Sequence, residues 1–310
     1  MNIIEYDMIL EKRFMDYENY IELYEAVYFF DRLTNHEEIK RPEIKESVYK
    51  ATARILVANK LLDYDGNGFV MTGENKEKHR DILDNIINKN IKHYTEMFDK
   101  AGNESQFFFD GISELEFEIY SRYNFPVTFE TGKEIVKHIN FAGKKALELG
   151  GNSGGLGTAA VSKNKNCRYT VVDAKIPCMI GNEFKKSNKV NIKFIEGNVF
   201  ELMLSGELYD YIIIMNLLHD FDDIKCLDIL RNCIKYCGNH TKFLIIEDIL
   251  TGEFEPKEAV MHGLRLAVEC RGGKQRTINE LTSLFSNINY KLEKTIKLNS
   301  VHIMLIMGAL

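Results

Sequence analysis

A mostly parallel α/β sheet behind a helical N-terminal segment is the fold that this 310-residue sequence predicts. Three observations carry the expectation. From about residue 143 short apolar runs alternate with helical segments, the texture of a parallel sheet with helices on both faces. After the first three, these runs arrive every ~20 to 30 residues, the length that a crossover between parallel strands needs. A glycine-rich stretch, ALELGGNSGGLGTAA (146–160), follows the first run and opens a helix. Ligands of open α/β sheets bind at that place.

Taken in order, the first ~100 residues read as helical, with apolar positions at helical spacing in YIELYEAVYFFDRL (20–33) and ESVYKATARILVANKLL (46–62). Asp65-Gly66 and Asn67-Gly68 then supply the positive φ angles of a tight hairpin between short extended pieces. Helices followed by a small hairpin suggest a winged-helix arrangement. Residues 81–125 read as further helix, with Pro126 expected to break it. The strand candidates are KKALELG, RYTVVDA, NIKFIEG, YDYIIIMN and KFLIIEDIL. The tail, NYKLEKTIKLNSVHIMLIMGAL, offers two more strands joined by a turn at residues 298–300, an antiparallel hairpin closing one edge. The expected division is a helical domain over 1–100, a helical connector over 101–142 and the sheet domain over 143–310.

Composition narrows the function classes. Hydrophobic residues make up 45% and charged residues 28%, as in an ordinary soluble protein, and no apolar run approaches the ~18 residues of a membrane span. The start, MNIIEYDMILEKRF, lacks a basic stretch followed by an apolar core, so a cytoplasmic location is expected. A net charge of -6 leaves no electrostatic footprint for nucleic acid. Six cysteines, at 167, 178, 226, 233, 237 and 270, form no CxxC pair and read as free, buried thiols.

The glycine stretch does not fit a dinucleotide fingerprint, because the approximate match Gly155-Leu156-Gly157-Thr158-Ala159-Ala160 starts inside the presumed helix. At the strand end stands an acid, Glu148, followed by Gly150 and Gly154. An acid-x-Gly-x-x-x-Gly loop suits S-adenosylmethionine, whose ammonium Glu148 can help hold directly or through water, with no phosphate to cradle. The next strand ends in Asp173, placed to accept both hydroxyls of a ribose. The third is followed by Asn198, a candidate to read the adenine amino group. The fourth runs into NLLHDFDD (216–223). There His219 is either a general base or a residue that ends the strand and caps the helix beginning near Asp222 or Asp223.

With these motifs together, the chain resembles the S-adenosylmethionine-dependent O-methyltransferases of the plant caffeate and bacterial polyketide type. LDYDGNGFVMT resembles their wing, LELGGNSGG their glycine loop, VVDAKIP their second strand and turn, GNVFE the third, and NLLHDFDD and GGKQRT their catalytic segments. The resemblance implies a Rossmann-like class I methyltransferase sheet, mostly parallel with an antiparallel last strand, behind a winged-helix-like dimerisation domain. It implies His219 as general base toward a hydroxyl of a small aromatic or polyketide-like acceptor, Glu247 as its orienting carboxylate and Gln275 as a second contact. It assigns the cofactor to Glu148, Gly150, Asn152, Gly154, Asp173, Asn198, Val199 and Met215, and it implies a homodimer.

The departures are Asn152 for the middle glycine, Asn198 for an aspartate, Phe221 for a tryptophan, Gln275 for a carboxylate and Met215 for a lysine. A neutral Gln275 leaves an N- or C-methyltransferase open on the same scaffold. A divalent cation at HDFDD is a lesser alternative. So is a regulator that senses S-adenosylmethionine and reads DNA through ESVYKATARILVANK.

Overall fold

The computed structural model describes Arg54, Val57, Asp63–Tyr64, Phe69–Val70 and residues 113 to 310, except 165, 257, 261, 264, 265, 267 to 269, 271, 300 and 301. The chain forms two compact units, Met1–Gly111 with Leu250–Thr277, and Ile112–Ile249 with Ile278–Leu310. Residues 250–277, expected with the sheet domain, thus group with the N-terminal segment.

In the first unit β1 (Asp63–Tyr64) and β2 (Phe69–Val70) pair antiparallel, Tyr64 opposite Phe69, as expected of the hairpin around the two glycine dipeptides. Arg54 and Val57 are helical. The helices expected over 20–33 and 81–101, and the turn residues 65–68, lie outside the described residues. Later in this unit Leu250 bridges to Thr277 and donates its N–H to the Arg276 carbonyl at 3.0 Å.

The second unit begins with α1 (Glu114–His138). Ser113 accepts from the Glu116 N–H while the Glu116 carboxylate reaches back to the Ser113 N–H, a reciprocal cap that satisfies two otherwise unpaired donors. Pro126 lies inside this helix, contrary to the break expected there. Proline removes one hydrogen bond and crowds the preceding turn, but its ring faces solvent, and Thr128 Oγ1 reaches the carbonyls of Asn124 and Phe125 at 2.9 and 3.2 Å. Packing does the rest. A side chain at Gly155 would run into Thr128 and the Phe125 carbonyl, so α1 lies against α2 (Gly155–Lys163) on both sides of the proline.

The sheet follows: β3 (Lys145–Leu149), β4 (Arg168–Asp173), α3 (Lys175–Asn188), β5 (Ile192–Glu196), β6 (Tyr209–Met215), α4 (Asp223–Ile234), β7 (Cys237–Asp248), α5 (Ile278–Ser286), β8 (Tyr290–Lys297) and β9 (His302–Ala309). The strand order is β5-β4-β3-β6-β7-β9-β8. All pairs from β5 to β7 are parallel, while β9 runs antiparallel to both β7 and β8. The expected terminal hairpin therefore exists, with its second strand on the inside. Strands β3, β6 and β7 are apolar and buried on both faces, which explains their continuous runs of Leu and Ile. The layer under α1 and α2 gathers Ile135, Phe141, Leu156, Tyr169, Ile213 and Ile246 into one core. At the C-terminal ends of β3, β4 and β6 the chain leaves this core in three short turns that carry the polar residues of interest.

Candidate active site

The loop after β3 is made by backbone conformation. Gly150, Asn152 and Gly154 all have positive φ, at 63, 50 and 78°. L side chains rarely adopt this region, and asparagine tolerates it better than most, so Asn152 can hold the left-handed conformation at the expected middle-glycine position. Its Oδ1 accepts from the Ser153 N–H at 2.7 Å. A Cβ at Gly151 would come within 2.6 Å of the Glu148 carboxyl carbon, so the absence of a side chain lets the loop lie directly on that acid.

Glu148 is 1% exposed, and its Oε2 accepts from the Tyr169 hydroxyl at 3.0 Å. Burial pushes its pKa up to about 8, against the opposing bond from Tyr169. Among the described residues its other oxygen, Oε1, has no hydrogen-bond partner, and neither has the buried Ser121 Oγ. Ser121 belongs to α1, and its carbonyl accepts from Ser153 Oγ of the loop at 2.8 Å. Thr131 of the same helix turns its hydroxyl back onto the carbonyl four residues earlier, as helical hydroxyls commonly do. Ser121 does not.

Asp173 closes the loop from the neighbouring strand. Its Oδ2 accepts from the Asn152 N–H and its Oδ1 from the Ala174 N–H, both at 2.7 Å. Burial raises its pKa to about 6 in spite of these two bonds. After β5, Asn198 is exposed and its Oδ1 accepts from the Phe200 N–H at 2.9 Å, folding the turn. An amide oxygen has a second lone pair, the one an adenine amino group would need. Val199 beside it is half-buried. Met215, at 8% exposure, belongs to the core layer under α1 and α2. Two residues from Ile213 on the same strand, it shares that residue's face.

After β6 the chain makes a short 3-10 turn, Leu218–Asp220, with His219 at its middle. His219 Nδ1 lies 2.7 Å from Glu247 Oε2, with side chains 14% and 4% exposed, and among the described residues neither atom has a hydrogen-bond partner elsewhere. Glu247 Oε1 accepts from the backbone N–H groups of Leu217 at 3.2 Å and Leu218 at 3.0 Å. One carboxylate at the end of β7 thereby fixes both the turn and the ring. With the ring hydrogen on Nδ1, Nε2 is left as the basic atom, 3.5 Å from Asp220 Oδ1.

Burial alone would lower the His219 pKa. The charges of Glu247 and Asp220, the Glu247 contact and Asp248 together outweigh it and carry the value up to about 9. The capping alternative falls to another residue. Asp222 is the N-cap of α4, accepting from the Lys225 N–H at 2.8 Å.

Gln275 belongs to the first unit, where it is buried and its Oε1 has no hydrogen-bond partner among the described residues. The described residues hold no group of three or more His, Cys, Asp or Glu side chains arranged for a metal ion. No helix among them is long and apolar enough to cross a membrane. Residues that sequence reasoning passed over are Ser121, Tyr169 and Ser153. Of these only Ser153, inside the glycine stretch, carried a local signal.

A glycine loop over a buried acid, a carboxylate at the next strand end and a carboxylate-held histidine at the fourth define the site of a methyltransferase-like α/β protein. The chain belongs to the O-methyltransferase domain family, whose profile matches residues 80–291. It is 28% identical over 200 residues to caffeic acid 3-O-methyltransferase of Zinnia elegans, covering 63% of this chain and 54% of that one.

Among solved structures it is similar to an O-methyltransferase family 2 protein of Planctomyces limnophilus in complex with apigenin, with TM-score 0.75, 13% identity and coverage of 96% and 94%. It is also similar to human N-acetylserotonin methyltransferase in complex with S-adenosylmethionine, with TM-score 0.62, 18% identity and coverage of 97% of each chain. The matched segment spans about half the length of the curated relatives.

Proposed function

We propose that the protein transfers a methyl group from S-adenosylmethionine to a hydroxyl of a small aromatic or polyketide-like molecule, with His219 as general base. The observation that carries this reading is the Glu247 carboxylate, which grips the turn through two backbone N–H groups and His219 Nδ1 through its other oxygen.

The chain's own groups around the loop suit the cofactor. Beside the loop lie two buried polar atoms, Glu148 Oε1 and Ser121 Oγ, that have no partners among the described residues and suit a ligand's ammonium end. Asp173 can exchange its backbone donors for ribose hydroxyls. Gly150, Asn152 and Gly154 present bare or nearly bare backbone, and Asn198 with Val199 borders the adenine side. When bound, the cofactor supplies an electrophilic methyl carbon on a positively charged sulfur.

The protein's part is to align the acceptor and remove its proton, because in-line displacement depends strongly on positioning. His219 Nε2 takes the hydroxyl proton while Glu247 stabilises the imidazolium that forms. A phenol has a pKa of about 10 and an ordinary imidazole about 6.5. Raised to about 9, His219 is matched to a phenol far more closely. Asp220 and Asp248 supply negative charge near the ring. This favours a hydroxyl acceptor over the nitrogen or carbon alternatives. The acceptor would lie against α1, with a homodimer formed through the N-terminal segment.

The test is methyl transfer from labelled S-adenosylmethionine to a panel of phenols and amines. Label on phenols that falls about 10²-fold or more in His219→Ala supports the reading. Label on amines, indifferent to that substitution, contradicts it.

A further inference from the structure

A second histidine sits beside a carboxylate at the same end of the sheet, outside the groups used above. His302 opens β9, whose register on β7 places it opposite Asp248, with Ile303 opposite Glu247. Its Nε2 lies 3.1 Å from Asp248 Oδ1 and 3.2 Å from the side-chain amide of Asn216. On the other side of the ring Nδ1 lies 3.1 Å from Asn299 Nδ2, while Asn299 Oδ1 accepts from the His302 backbone N–H at 2.7 Å.

These contacts decide the tautomer. Asn299 commits its oxygen to a backbone donor, so its NH2 faces the ring and Nδ1 must accept. The hydrogen of the neutral ring then sits on Nε2, 3.1 Å from Asp248 Oδ1, and the Asn216 amide, whose Nδ2 stands 3.2 Å from Nε2, must turn over to present its oxygen.

Asn216 is where the chain leaves β6 for the turn that carries His219. It has a φ of 50° and donates its N–H to the Ile246 carbonyl at 2.9 Å. The next two N–H groups are those that Glu247 Oε1 receives. A non-glycine residue in the left-handed region persists where its surroundings hold it, and the His302 ring is one such hold. Asp248, which His302 also faces, adjoins Glu247 on β7. The two histidines thus share one strand end and one turn.

We propose that His302 is a positioning residue for His219, gripping Asn216 and Asp248 so that the turn from Asn216 to Asp220 sets the His219 ring against Glu247. This rests on the reading of His219 as the base. His302 touches no reacting atom and acts only through the turn. The charged groups that face His219 are Glu247 and Asp248 from β7 and Asp220 from its own turn. Those that face His302 are Asp248 from β7, with the neutral amides of Asn216 and Asn299.

The test is titration of the His219 ring by nitrogen-15 NMR in the full chain without cofactor or acceptor, the signal being assigned with His219→Gln. In the wild type the midpoint lies well above that of a free imidazole. In His302→Ala the turn relaxes, His219 parts from Glu247, and the midpoint falls by about one unit or more toward the ordinary ~6.5. His302→Gln, which keeps a donor near the Nε2 position, restores most of the shift.

Asn216→Gly keeps the left-handed backbone without the amide; it lowers the midpoint too, and adds little in the His302→Ala background. Exchange of the Leu217 and Leu218 amides quickens in His302→Ala while the β3 and β4 amides stay protected, showing that the fold survives. An unchanged or higher midpoint in His302→Ala, expected if the ring merely screens Asp248, overturns the proposal. So does a His302→Gln variant no better than His302→Ala. Because no ligand takes part, a failure of methyl transfer would leave this result readable, and a failure here would leave the base assignment standing.

Discussion

The turn after β3 and the turn after β6 are held by the same device, yet they serve different ends. In each, a carboxylate at the end of a neighbouring parallel strand accepts backbone N–H groups of the turn: Asp173 from Asn152, and Glu247 from Leu217 and Leu218. The difference lies in the second oxygen. Asp173 gives it to another backbone N–H, at Ala174, which leaves a half-buried carboxylate able to trade both bonds for a ligand's hydroxyls. Glu247 gives it to His219 Nδ1, turning a loop anchor into the partner of the proposed base. On the proposed reading, a strand-end carboxylate binds or assists chemistry according to what its second oxygen faces.

Breaking the second turn has the largest expected effect. His219→Ala should lower methyl transfer about 10²-fold or more, while the dissociation constant for S-adenosylmethionine stays within a factor of about two. The pH dependence sharpens this. The base works in its neutral form, so a pKa raised to about 9 moves the acidic limb of the rate profile upward. The rate should climb between pH 7 and 9, where an ordinary imidazole would already have levelled off above ~6.5.

Breaking the first turn should act on binding. Asp173→Ala removes hydrogen bonds to a charged group, each worth about 1.5–3 kcal/mol, and cofactor affinity measured by calorimetry should fall about 10-fold or more. A smaller effect belongs to Gly151→Ala. Its methyl group would meet the Glu148 carboxyl, so the loop must shift, at a cost of about 1–3 kcal/mol in thermal unfolding.

The smallest concerns stability. His219 has a folded-state pKa above its unfolded value, so its contribution is fully present below ~6.5 and lost as pH rises through about 9. The wild type should therefore lose more of its melting temperature between pH 7 and 9.5 than His219→Ala does.

Much of this molecule could be read from residue order because its strands are local objects. Runs such as YDYIIIMN announce themselves, and an acid or histidine at the end of such a run falls at the mouth of the sheet. Asp173 and His219 stand out this way, whereas Glu247 enters only through the family resemblance. Local rules failed where tertiary packing decides. Pro126 sits inside a helix because contacts with α2 hold α1 on both sides of it.

Tyr169 meets Glu148 across 21 residues, Ser153 meets Ser121 across 32, and His302 meets Asn216 across 86. Each contact depends on which strands or helices lie side by side. The last required β9 to enter beside β7, which a terminal hairpin closing an edge does not by itself reveal.

The most direct test of the division between the two turns is calorimetric titration of the wild type, Asp173→Ala and His219→Ala with S-adenosylmethionine and, separately, with S-adenosylhomocysteine. Binding of both by the wild type, lost in Asp173→Ala and kept in His219→Ala, is the predicted result. Binding of neither by the folded wild type, or binding that survives Asp173→Ala and fails in His219→Ala, would contradict it.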